Sequence, residues 1–296
     1  MATSPDTVDS GSQNERKAIS ALYRDPSPDR GRPATTLPQA IPSGDVNLNA
    51  VLYAAAGVGP HPTVLLLHGL PGNEQNVDCA QFIRRAGWNV LAIHYRGSWG
   101  GPGTFSFVHC LEDAAAALSW LRATGLQSDL RIDPHRIVII GHSMGGFVAA
   151  HTAAAHPEVI GTALISGVDL GRAFGRGSTD DATNVDDNIG VSAGLHILTG
   201  TSPRSLAHEA HSQGESWQLT SYAVRLADRP LLLITSDDGF ADEGVALANA
   251  TSRCGGATVS YTHLADDHSY SNSRIELQKL SLEWLATMGK PMSCDT

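Results

Sequence analysis

The chain of 296 residues is long enough to bury a full core, as one large α/β domain or two small ones. Its formal charge of −10, with no cluster of Lys or Arg to release counterions, argues against nucleic acid or an anionic membrane as partner. No apolar run approaches the roughly 20 residues that span a bilayer, and the polar stretch over residues 1–17 lacks the apolar core of a secretory signal.

In chain order, residues 1–37 are rich in Ser, Asp, Pro and Arg and are expected to form a flexible arm, with a short docking helix at 15–23 as the lesser alternative. Two strand-like runs follow around Pro42-Ser43-Gly44-Asp45, a hairpin signal whose second member, residues 46–54, alternates like a half-exposed edge strand. Residues 63–67 are a short buried strand ending in His68-Gly69-Leu70-Pro71-Gly72. A helix is expected over 76–86, stopped by Gly87, then a strand over 89–94 and a glycine-rich loop from Tyr95 to Gly103. Residues 107–123 read as an amphipathic helix. Ile137 to Ile140 form an apolar strand that runs into Gly141-His142-Ser143-Met144-Gly145-Gly146, with an alanine-rich helix over 147–156 behind it. Further strands are expected at 162–166, 231–235 and 258–263. A last helix over 272–288 offers Ile275, Leu277, Leu280, Leu282 and Leu285 for burial.

Short apolar strands alternating with helices imply an α/β fold with a mostly parallel sheet of about eight strands, covered on both faces. Between residues 166 and 231 no strand pattern occurs, while 203–211 and 216–227 have helical spacing. A structureless connection of that length is improbable in a compact domain. Residues 169–227 are therefore expected to be a helical cap, inserted in a core formed by 38–168 and 228–296.

The strand–turn–helix around Ser143 is the setting in which Gly-x-Ser-x-Gly carries chemistry. The turn is sharp enough that a side chain two residues either side of the serine would strike neighbouring backbone, and Gly141 and Gly145 remove both obstacles. A serine is a weak nucleophile without a base, and the base needs an orienting acid. Sites on open parallel sheets gather beyond the carboxyl ends of the strands. There the later strands supply Ser236-Asp237-Asp238-Gly239 and Asp266-Asp267-His268-Ser269, in the order Ser, Asp, His. Two adjacent aspartates leave the acid open, and His263 lies within a strand pattern.

On these motifs residues 40–290 resemble the α/β-hydrolase-fold serine hydrolases, in particular bacterial esterase-like members related in pattern to the catalytic domains of prolyl oligopeptidases. The resemblance implies Ser143 as nucleophile and His268 as base. It places the acid three residues beyond the strand end at Thr235, which selects Asp238 over Asp237. It also implies an oxyanion hole made by the backbone amides of Leu70 and Met144; Pro71 has no N–H and is excluded. His68 is expected to hold the loop. Tyr95, Trp99 and Phe105 around the glycine-rich loop, and Asn73 and Glu74 after the oxyanion loop, are pocket candidates. No metal or organic cofactor is implied, and the expected partner is a small-molecule ester. Amide, peptide or lactone hydrolysis, or acyl transfer, are alternatives on the same triad. A non-catalytic binding protein on this scaffold would be expected to lose Ser143 or His268, and both are present.

Four cysteines (Cys79, Cys110, Cys254, Cys294) without paired spacing suit reduced thiols in a cytoplasm. The aspartate pairs at 180–181 and 186–187 lack the spacing of a calcium loop.

Overall fold

The hairpin forms through Gly44-Asp45, which joins β1 (Thr35–Ser43) to β2 (Val46–Ala54) with Ser43 opposite Val46. Gly44 has φ 57°, and a positive φ at the first central position of a two-residue hairpin turn favours glycine. The computed structural model describes residues 19–125, 129–174, 194–255 and 258–288. Among them eight strands make one sheet in the order β1-β2-β4-β3-β5-β6-β7-β8. β3 (His61–Leu67), β4 (Asn89–Ile93), β5 (Ile132–His142), β6 (Gly161–Ile165), β7 (Leu231–Ser236) and β8 (Val259–Leu264) run parallel; among the described strands β2 alone runs against them, since β1 pairs antiparallel with β2 and so shares their direction. The structure moves β2 off the edge: it lies between β1 and β4, so β1 is the edge strand. Alternation along β2 reflects one well-covered face, not an open flank.

The central strands read as continuous apolar runs because both of their faces are covered. In β3, Leu65 and Leu67 join the core on one face while Val64 and Leu66 join the core on the other. Helices Phe107–Gly125, Met144–Ala155 and Ala241–Arg253 contribute to the first core through Phe107, Phe147 and Leu247. Helices Val77–Arg85 and Arg274–Thr287 contribute to the second through Ile83 and Leu277. The N-terminal segment is described from Ile19 onward; residues 19–23 are helical, and Ala21 is buried with its carbonyl accepting from Arg85 Nε at 2.9 Å.

Two helical expectations are corrected. In the last helix Ile275 is 61% exposed, and Leu280 only packs against the core margin. The buried stripe is Leu277, Gln278, Ser281, Leu282, Trp284 and Leu285. At about 100° per residue, Ile275 lies almost opposite Leu277. The helix expected over 216–227 is instead two 3-10 turns, Gly214–Trp217 and Leu219–Tyr222, followed by a short helix, Ala223–Leu226. Gln218 is extended between them, with ψ 135°, because Asp169 takes the Leu219 amide at 2.9 Å. Trp217, Leu219 and Tyr222 are all buried, and their burial overrides the local spacing.

Backbone bonds stitch residues 194–199 to the glycine-rich loop. Trp99 N donates to Ile197 O, Thr199 N to Gly97 O and Phe105 N to Thr199 O, at 3.2, 2.7 and 2.8 Å. Helix Pro203–Gln213 adds Glu209, whose carboxylate accepts the Phe107 and Val108 amides at 2.8 Å each. A negative charge on those orphan N–H groups favours the start of helix Phe107–Gly125. No helix among the described residues is long and apolar enough to cross a membrane. The aspartate pairs at 180–181 and 186–187, and Cys294, lie outside the described residues.

The helix correction sets an expectation for stability. Leu277→Ala should cost about 2–5 kcal/mol in urea unfolding, whereas Ile275→Ala should stay within about 0.5 kcal/mol of the parent. Equal losses at the two positions would contradict this orientation of the last helix.

Candidate active site

Ser143 follows directly on the end of β5, with φ 58° and ψ −124°, and helix Met144–Ala155 starts at the next residue. Side chains other than glycine avoid positive φ, so the turn holds strain at this residue. The flanking glycines are obligatory. A Cβ on Gly141 would lie 1.9 Å from Gly145 O, and one on Gly145 would lie 2.3 Å from Leu67 O. The strained turn is pinned by Ser143 N donating to Ile165 O at 2.9 Å, while Ser143 O accepts from Gly146 N and Val168 N at 2.9 and 3.2 Å. The loop after β3 presses against it: a Cβ on Gly69 would sit 2.8 Å from Ser143 Cβ and 3.3 Å from its Oγ.

Asp238 and His268 lie beyond β7 and β8 at the same edge of the sheet. His268 Nδ1 and Asp238 Oδ2 are 2.7 Å apart, with the Asp238 side chain 3% exposed. A carboxylate only accepts, so Nδ1 carries the proton and Nε2 of a neutral His268 is left with its lone pair. Asp237 pairs elsewhere: its Oδ1 is 3.0 Å from His263 Nε2, in an exposed contact whose other ring nitrogen meets Thr235 Oγ1 at 3.0 Å. The two adjacent aspartates thus serve two different histidines, Asp238 pairing with His268 and Asp237 with His263.

Burial raises the Asp238 pKa, but hydrogen bonds from His268, Ser166, the Phe240 amide and Ser236 outweigh it and hold the carboxyl well below the ordinary carboxylate range. Behind it, Ser166 Oγ lies 3.0 Å from Ser236 Oγ and 2.7 Å from the hydroxyl of fully buried Tyr270, which donates to Ile234 O at 3.1 Å. This hydroxyl network was not read from the sequence. Ser166 and Ser236 end apolar strands at the edge where the acid sits, which is the one signal that marks them.

The loop His68-Gly69-Leu70-Pro71-Gly72 is held from two sides. His68 Nδ1 meets Gly69 O at 2.8 Å, and Trp99 Nε1 donates to Pro71 O at 3.0 Å. Burial lowers the His68 pKa to about 4, against the opposing bond to Gly69. Its imidazole is neutral and Nδ1 donates. Among the described residues, neither the Leu70 nor the Met144 amide donates to another protein group. Free N–H groups of this kind, at a helix N-terminus and on a loop packed against Ser143, suit an anionic oxygen.

The pocket candidates are redistributed. Tyr95 is fully buried, with its ring 4.7 Å from that of His68, so it backs the loop and does not line an open wall. Phe105 is 2% exposed and belongs to the core. Glu74 takes the Asn76 amide at 2.6 Å and pairs with Arg274 at 3.7 Å, so it serves the loop. Asn73 is exposed, and Trp99 is 39% exposed with φ 50°. Arg274 also donates to Ser269 O at 2.9 Å and to Asn76 Oδ1 at 3.0 Å, tying the segment after Gly72 to the segment after His268. Among the described residues no group of three or more His, Cys, Asp or Glu is placed to hold a metal ion.

Known proteins share this fold. Residues 62–193 match the alpha/beta hydrolase fold family model. An uncharacterized protein of Mycobacterium tuberculosis is 37% identical over 100 residues, 33% of this chain and 34% of that protein. The sn-1-specific diacylglycerol lipase of Xenopus tropicalis is 29% identical over 192 residues, 64% of this chain and 53% of the lipase. The matches thus span only 34% and 53% of the length of these relatives. The solved structure of EstE1, a thermostable carboxylesterase cloned from a metagenomic library, superposes with a TM-score of 0.60 at 21% identity. That superposition covers 98% of this chain and 100% of EstE1, and at such identity it shows the fold. The fold is that of the α/β hydrolases, and residues 62–193 carry the match to that family model.

The depressed pKa of Asp238 makes a pH-dependent contribution to stability. A carboxyl whose folded pKa lies below its unfolded value stabilises the fold above the unfolded pKa of about 4, and that stabilisation fades as pH falls toward the folded value. Asp238→Asn should therefore unfold at lower urea than the parent at pH 7, with the gap narrowing below about pH 4. A gap that stays constant down to pH 3 would contradict the ionised, hydrogen-bonded carboxylate.

Proposed function

We propose that the chain is a serine hydrolase of carboxylic esters, acting through an acyl-enzyme with Ser143, His268 and Asp238 as its triad. The observation that carries this reading is the 2.7 Å bond between His268 Nδ1 and the enclosed Asp238, at the sheet edge where Ser143 stands in a strained turn. Ser143 Oγ attacks the ester carbonyl while His268 Nε2 takes its proton, giving a tetrahedral oxyanion and an imidazolium. The Leu70 and Met144 amides receive the oxyanion, and Asp238 stabilises the imidazolium through Nδ1–H. The carbonyl re-forms, and the alkoxide leaves with the proton from Nε2 as the free alcohol. Water then attacks the acyl-enzyme, giving its proton to Nε2; collapse of the second tetrahedral intermediate releases the carboxylic acid and returns that proton to Ser143.

Of residues 169–227, proposed as the cap over this edge, 175–193 lie outside the described residues, and Trp99 and Asn73 are the candidates left to meet substrate. The proposed core of 38–168 with 228–296 extends further toward the N-terminus than the sequence suggests, because β1 begins at Thr35 and Ala21 is buried in the second core. Ester hydrolysis is put first, with amide, peptide or lactone hydrolysis, or acyl transfer, as alternatives on the same triad. The free thiols of Cys79, Cys110 and Cys254 support a reducing, cytoplasmic setting.

Ser143→Ala should reduce kcat on a short-chain p-nitrophenyl ester by about 10⁴-fold or more, with an unchanged unfolding midpoint. Asp238→Asn should lose about 10⁴-fold through the wrong imidazole tautomer, while Asp237→Asn stays within a few-fold. Comparable loss in both aspartate variants, or turnover retained by Ser143→Ala, would refute the assignment. A panel of acyl-chain lengths run beside aminoacyl and lactone substrates then ranks the leaving groups.

A further inference from the structure

The side chain between Gly141 and Ser143 has no part in the chemistry above, yet it touches the base. His142 is 4% exposed, with Nε2 2.8 Å from the backbone oxygen of His268, across 126 residues of chain. The two imidazole rings lie 4.8 Å apart. A carbonyl oxygen accepts, so Nε2 of His142 carries the proton and Nδ1 is bare. That Nδ1 is buried without a hydrogen-bond partner among the described residues.

A buried imidazole with one orphaned nitrogen is a poor core residue, since an apolar side chain of similar volume would bury no unpaired nitrogen. Burial, with the neighbouring His268 adding to it, lowers the His142 pKa to about 4, so the ring stays a neutral single donor near neutrality. What it supplies is a bond from the residue beside the nucleophile to the main chain of the residue bearing the base.

We propose that His142 is a positioning residue, whose Nε2–H holds the His268 backbone and so sets the height of the base over Ser143. This inference rests on the triad reading. The turn at Ser143 is rigid, being pinned to β6 through Ile165 O. The base stands on a loop past β8, where the Asp266 carboxylate accepts the Asp267 and Asn272 amides and Arg274 donates to Ser269 O. The bond from His142 acts on the base residue itself. It refers the position of His268 to the nucleophile's own turn, while Asp238 controls the tilt of the ring.

Two variants test it. Leucine fills the space and cannot donate; glutamine places an amide N–H near the position of Nε2. For H142L, kcat on the p-nitrophenyl ester should fall by about 10–100-fold, the penalty of a small misplacement of a reacting group, with KM within about twofold and no drop in melting temperature. H142Q should keep kcat within about threefold. The far-downfield proton resonance of His268 Nδ1–H in its bond to Asp238 should broaden or vanish in H142L and persist in H142Q. H142L with the parent's kcat and resonance would overturn the proposal. So would equal losses in both variants that track melting temperature, the mark of a purely structural residue. Should the parent itself turn over no ester, the esterase reading fails, and the resonance comparison still decides for or against His142.

Discussion

The site depends on a steric constraint at one turn. β5 must reverse into helix Met144–Ala155 within the space left by Leu67 O on one side and the start of the helix on the other. That clearance admits no Cβ at Gly141 or Gly145, and it leaves Ser143 at φ 58°. Strain of this kind costs of order 1–3 kcal/mol and persists only where the surroundings over-determine it. Here they do: Ile165 O holds the Ser143 amide, and Gly69 closes against its side chain. The same turn starts the helix at Met144, whose N–H donates to no other group among the described residues, so the strained serine and the proposed oxyanion site arise from one piece of backbone geometry.

The neighbouring loops read as supports for that turn. His68 donates to Gly69 O, the carbonyl of the peptide unit whose N–H belongs to Leu70. Because the N–H and C=O of a trans peptide point in opposite directions, the bond at Gly69 O aims the Leu70 N–H away from His68. Trp99 fixes the next carbonyl but one, Pro71 O, and its own amide is tied to Ile197. The oxyanion loop is thereby joined to residues 194–199. On the far side, Asp238 is surrounded by donors that keep it ionised, and His263 occupies Asp237.

Much of this was legible in the sequence, because its signals are local and steric. The strand–Gly-x-Ser-x-Gly–helix pattern and the strand ends at Ser236 and Leu264 each reflect a constraint within a few residues, whereas the choice of Asp238 and the role given to the loop after β3 rested on the family resemblance. What escaped were features set by tertiary contact. Gln218 breaks an expected helix because Asp169 claims the neighbouring amide. Tyr95 and Glu74 are polar residues near the site whose partners, His68 and Arg274, no spacing reveals. Ser166, Ser236 and Tyr270 converge on Asp238 from three separated segments. His142 stood inside the most informative motif, and only the fold brings His268 O to it.

The central claim is that Ser143 is a nucleophile activated by His268. Treatment with a fluorophosphonate, followed by peptide mapping, tests it most directly. The account predicts a single adduct on Ser143, absent in Ser143→Ala and strongly slowed in His268→Ala. An unlabelled Ser143 in the parent, or labelling at the same rate without His268, would contradict it.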